Sequence, residues 1–118
     1  MKSKKSFRDF KSYKYGAGEI KLEYWSPEII KVKYKEGKTT SGYHWDTDQI
    51  DLPEGLSDRP TLLCLVHEMI HQTLEDSELS DGFESAMIEE AIIDTIAGGL
   101  CQIAHRNPEF WRSLSLEE

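Results

Sequence analysis

Read by the spacing of its apolar positions, the chain changes character near residue 55. Upstream, short β-prone segments recur between turn signals: Glu19 to Trp25, Ile29 to Lys35, Thr40 to Asp46 and Gln49 to Leu52. The second alternates, with Ile30, Val32 and Tyr34 on one side and Lys31, Lys33 and Lys35 on the other, the signature of a half-buried strand. Glu36-Gly37-Lys38 then predicts a hairpin turn into the third segment. Downstream the period becomes helical. Ser57-Asp58-Arg59-Pro60 offers a cap and an early proline, and Leu62, Leu63, Val66, Met69, Ile70 and Leu74 follow, predicting a helix over residues 59–75. Beyond a polar connection, Met87, Ile88, Ala91, Ile92, Thr95, Ile96 and Leu100 recur at steps of three and four, and this second helix must end before Pro108. Gly98-Gly99 within it predicts a bend or a closely packed neighbour. The expected fold is α+β, a small antiparallel or mixed sheet packed on two main helices.

At 118 residues, 38% hydrophobic and 31% charged, the chain fits one globular domain, with a basic arm over residues 1–15 expected to be partly frayed and a single folded unit over 16–118. The arm carries Lys2, Lys4, Lys5, Arg8, Lys11 and Lys14 against Asp9 alone, so the rest of the chain holds eight basic and twenty-one acidic groups. Such a body repels nucleic acid, whose readers present a basic face. The longest uncharged apolar stretch, Leu62 to Val66, is far short of the roughly 18–20 residues a bilayer crossing needs. With a basic N-terminus that lacks an apolar export core, a cytoplasmic location is expected. Cys64 and Cys101, outside any C-x-x-C pair, are expected to be reduced core residues.

The chemistry concentrates in His67-Glu68-Met69-Ile70-His71, an H-E-x-x-H pattern in the middle of the first helix. At 100° per residue, His71 lies about 40° around the helix from His67 and one turn along, so both imidazoles reach one ion. Glu68 projects about 60° from His71, beside such an ion rather than onto it, where a carboxylate can take a proton from an activated water. A catalytic zinc needs a third protein ligand and an open position. Leu74 and Ser77 stand where the H-x-x-G-x-x-H extension would place its glycine and third histidine, so that arrangement is excluded. His44 and His105 remain as histidines, but Glu89-Glu90-Ala91-Ile92-Ile93-Asp94 on the second helix is the better source of a carboxylate.

With these residues the chain resembles the gluzincin metallopeptidases, whose E-x-x-x-D motif follows the H-E-x-x-H helix. Glu90 and Asp94 have that spacing. The resemblance is closest to minimal gluzincins of the IrrE/ImmA-like kind, often carried by phages and other mobile elements, and covers residues 40–100. It implies a single zinc ion held by His67, His71 and Glu90, with Asp94 accepting a hydrogen bond from His67; Glu89 is the rival ligand. If the helices run antiparallel, Asp94 approaches His67, Cys101 falls toward the Cys64 end, and Cys64 is buried near the site. The implied activity is zinc-dependent peptide hydrolysis, with Glu68 as general base and then acid, acting on an extended protein or peptide segment that pairs with a strand edge within Thr40 to Asp46. Tyr43, His44 and His105 are the candidate donors to the oxyanion. The alternative is a zinc-stabilised regulatory or partner-docking module with little turnover.

Overall fold

The computed structural model describes residues 6–34, 41–77, 79 and 82–114. After a short 3-10 turn at Phe7–Asp9, the elements run β1 (Ser12–Tyr15), β2 (Gly18–Trp25), α1 (Pro27–Lys33), β3 (Gly42–His44), β4 (Gln49–Pro53), α2 (Asp58–Asp76), α3 (Ala86–Arg106) and α4 (Pro108–Ser113). The strands form one mixed sheet in the order β1-β2-β4-β3, so the α+β expectation holds. β1 pairs antiparallel with β2, β2 parallel with β4, and β3 antiparallel with β4. The parallel pair arises because the chain leaves β2 through α1 before returning, and β3 is left as a sheet edge.

The segment expected as a strand over Ile29 to Lys35 is instead α1 as far as Lys33, and this is a correction. Ser26 caps the helix by accepting a hydrogen bond from the Ile29 amide, Pro27 presets its first turn, and Glu28 and Lys31 with Lys33 complement its dipole. These terminal signals outweigh the alternation, and Ile30 is the residue buried. The turn expected at Glu36-Gly37-Lys38 lies outside the described residues. The basic arm is also partly structured: Ser12–Tyr15 forms β1, and Arg8 donates to the Asp58 carboxylate (2.8 Å), the Leu56 carbonyl (2.6 Å) and Thr61 Oγ1 (2.9 Å), tying the N-terminal turn to the start of α2.

Strand alternation sends Ile20 and Leu22 of β2 and Ile50 and Leu52 of β4 to one face, where they form the core with Leu65 of α2. The surprise is the stripe α2 turns inward: Thr61, Leu65, Glu68 and Gln72, three of them polar. Each polar member has a partner, Thr61 with Arg8, Glu68 with Ser41 (2.6 Å) and Gln72 with the Tyr13 hydroxyl (2.9 Å). The apolar positions that predicted α2, among them Leu62, Val66, Met69, Ile70 and Leu74, line an apolar groove of about 380 Å³ closed by Leu100, Cys101, Ala104 and Trp111.

α3 departs from expectation in the same way. Its apolar periodicity runs along an outer face, with Met87 81% exposed and Ile88, Ile92 and Ile96 also exposed, whereas Ile93 and Ala97 are the buried pair. The helix runs unbroken past Gly98 and Gly99, and a Cβ at either would meet nothing within 4 Å, so neither a bend-inducing role nor a close neighbour explains them. No helix among the described residues is long and apolar enough to cross a membrane.

Candidate metal centre

Two helices bring the site together because each places its polar residues one turn apart on the side facing the other. On α2, His67 and His71 stand edge to face with ring centroids 4.9 Å apart. On α3, Glu90 approaches both: its Oε2 lies 3.1 Å from His67 Nε2 and its Oε1 lies 2.5 Å from His71 Nε2. Ligand atoms of His67, His71 and Glu90 all fall within 4.8 Å of one another. Asp94, one turn beyond Glu90, places Oδ1 2.8 Å from His67 Nδ1. A carboxylate there can hold the Nδ1 proton, which would leave the Nε2 lone pair for a metal ion. Glu89 sits 3.9 Å from His71 Nδ1, on the far side of that ring from Glu90, and so does not join the cluster.

This donor set fits a zinc ion. Ligands about 2.0–2.1 Å from one tetrahedral ion stand about 3.4 Å apart; the His67–Glu90 separation of 3.1 Å is near that and the His71–Glu90 separation of 2.5 Å is shorter, while the chemistry of two imidazoles with one carboxylate would leave a fourth position for water or substrate. His67 and His71 are half-buried, Glu90 is exposed, and all three line one cleft.

Glu68, 4% exposed, lies on the same helix and lines the same cleft as His67 and His71. Its Oε2 accepts a hydrogen bond from Ser41 Oγ (2.6 Å). Burial pushes its carboxyl above the ordinary range, against the lowering effects of the Ser41 hydrogen bond and of His67 and His71. That is the direction a proton-carrying base requires near neutral pH. A cleft of about 440 Å³ opens over the cluster, lined on one wall by Tyr34, Ser41, Gly42, Tyr43 and Trp45 and on the other by α2 and α3 with Glu75, Glu89 and Glu90. Trp45 is 70% exposed at its mouth.

Of the three residues considered as oxyanion donors, only Tyr43 lines this cleft, its phenol pushed up by burial, with Asp48, Glu75 and Asp76 reinforcing the shift. His44 is spent elsewhere: its Nε2 lies 2.7 Å from the buried Asp51 Oδ2 and 3.0 Å from the Tyr34 hydroxyl. His105 stands on α3 fifteen residues past Glu90, about 22 Å along the helix, beside Arg59 and Pro60. Neither is a donor at this site, because β-strand register and helix rise direct them away. Cys64 packs against the sheet core and Cys101 lines the apolar groove, and neither belongs to the His67–His71–Glu90 cluster.

Ser41 and Trp45 fall within the strand edge expected over Thr40 to Asp46, but they, Tyr34 and Glu75 are not assigned individually as site residues from the sequence. Tyr34, Ser41 and Trp45 reach the cleft through the packing of the segments around β3 beside α2, whereas Glu75 stands one turn beyond His71 on α2 and shares its face by helical spacing. No family model, curated protein or solved structure matches this chain.

Proposed function

We propose that the protein is a zinc-dependent peptide hydrolase of the gluzincin kind, acting in the cytoplasm on an extended protein or peptide segment. The observation that carries this reading is the convergence of His67 Nε2, His71 Nε2 and Glu90 at one point, with Asp94 behind His67 and Glu68 beside the gap. When bound, zinc acidifies a water molecule and polarises a carbonyl. Glu68 takes the water's proton as the oxygen attacks the scissile carbon and passes it to the departing amine nitrogen as the C–N bond breaks. Ser41 holds one Glu68 oxygen and leaves the other for this transfer. β3, a sheet edge along the cleft wall, supplies backbone groups with which an extended chain can pair.

The test is Glu68→Gln, assayed against unfolded casein and a quenched fluorescent peptide library. The zinc-loaded native protein should cleave, and the variant should keep about one zinc per chain while losing at least about 100-fold in kcat. A second reading, a partner-docking module that retains the metal for structure, is favoured by the apolar outer face of α3 and by Phe110 of α4 and Leu114 just after it, which are exposed. It requires that the native protein and Glu68→Gln be equally inert while both hold zinc.

A further inference from the structure

α3 carries a second, apolar face that the described residues leave open. Ile88, Ile92, Ile96 and Ile103 are between 40% and 46% exposed, and with Gly99 they follow one another at steps of four, four, three and four residues. At about 100° per residue these five positions fall within about 80° of one another, on a stripe centred about 160° around the helix from both Glu90 and Asp94. The metal-binding carboxylate and the apolar stripe thus lie on opposite sides of one helix. The four isoleucines leave on the order of 300 Å² open to solvent, the size of patch that on a monomer is often functional. Between Ile88 and Ile103 the stripe holds no charge. Charge stands at its ends: Glu84 just before the helix and Arg106 in its last turn, both exposed and neither in an ion pair among the described residues. Gly99 interrupts the row with open space beside its α-carbon, although glycine is a poor helix former. An apolar side chain arriving from another helix finds room there.

We propose that this stripe is the interface of a homodimer in which α3 packs antiparallel against α3 of a second copy. The two-fold axis passes beside Thr95 and Ile96, at the middle of the helix, so that one isologous patch pairs with itself. In that register Ile88 of each copy meets Ile103 of the other, and Ile92 seats over Gly99. Charge complementarity selects a second copy in this orientation: Glu84 of each chain comes to Arg106 of the other, twice per dimer, and the two helix dipoles oppose. A parallel pair would set Glu84 beside Glu84 and Arg106 beside Arg106. Salt at physiological strength screens the net charge of −8 beyond about 8 Å, so the contacts at the seam decide the pairing. Two helices of 21 residues, about 31 Å long, bury on the order of 1,200 Å² between them, the lower bound of a standard interface. That area fits a reversible dimer with Kd of about 10–100 µM rather than an obligate one. The pairing does not depend on the hydrolytic reading.

The experiment is sedimentation equilibrium of the full chain with reductant at physiological salt, from about 2 to about 500 µM, a range that brackets the expected Kd. The native protein should pass from monomer to dimer mass with a midpoint in the tens of micromolar. Ile96→Glu places two carboxylates beside the two-fold axis and should weaken the dimer at least about 30-fold. Glu84→Arg and Arg106→Glu should each weaken it about three- to tenfold, and the double variant Glu84→Arg/Arg106→Glu should return to within about twofold of native. All these positions are exposed in the single chain, so circular dichroism at the lowest concentration, where the chain is monomeric, should show unfolding midpoints within a few degrees of native. A native chain that stays monomeric throughout overturns the proposal, as does a dimer indifferent to Ile96→Glu. Charge reversals that fail to compensate one another overturn the antiparallel arrangement.

Discussion

Glu89 and Glu90 are adjacent and chemically identical, yet one residue of helix rotates a side chain by about 100°. Glu90 therefore meets both imidazoles while Glu89 reaches only the outer nitrogen of His71. Glu90→Ala should lose zinc from the purified protein and Glu89→Ala should retain it, read by elemental analysis after dialysis. Asp94→Asn keeps the ligand set but loses the charged acceptor on His67 Nδ1, and should weaken zinc about 10–100-fold in a competition titration with a chromophoric chelator. At this scale the sequence is most informative: helix geometry sets the spacing of His67, Glu68 and His71, while Glu90 and Asp94 were pointed to by the E-x-x-x-D spacing of the family the chain resembles. His44 and His105 show the limit, because where a lone histidine points depends on packing that no short spacing encodes.

At the scale of elements, local terminal chemistry proved stronger than periodicity. Ser26-Pro27-Glu28 starts a helix where alternation predicted a strand, and the helical spacing then lets Ile30 enter the core while Lys33 and Tyr34 turn to Asp51. Hydrogen bonds and Lys33 hold the Asp51 carboxyl well below the ordinary range although burial alone would raise it. A carboxyl lowered on folding contributes stability that is complete above its unfolded pKa of about 4 and fades as pH falls toward the folded value. Asp51→Asn should accordingly cost about 3 kcal/mol at pH 7 and show a flatter loss of stability below about pH 4 than the native protein, measured by urea unfolding across pH. In α3, Gly99 is exposed with open space beside its α-carbon, so Gly99→Ala should stabilise by about 0.5–1 kcal/mol in the same assay.

Over the whole molecule, the α+β class and the extent of the two long helices could be read from the sequence, with ends within a residue or two of the structure for α2. The orientation of their faces could not. Apolar periodicity identifies a helix but not the direction in which its apolar side points, and here α2 turns a hydrogen-bonded polar stripe to the sheet while α3 turns its carboxylates to α2. The parallel β2–β4 pairing was equally hidden, since it depends on α1 being a helix. Ile93 and Ala97 are the buried residues of α3, and the contacts of Glu90 and Asp94 with His67 and His71 are among those that join it to α2. Free zinc at about 100 times its Kd should therefore stabilise the protein by about 2.7 kcal/mol, raising Tm by about 10 °C in calorimetry, and Glu90→Ala should abolish that rise.

The most direct test is anomalous diffraction at the zinc edge from crystals grown with equimolar zinc. The expected result is one peak, about 2.0–2.1 Å from His67 Nε2, His71 Nε2 and a Glu90 oxygen, with no protein atom in the fourth position. A peak that omits Glu90, or a fourth protein ligand that closes the coordination sphere, would contradict the account.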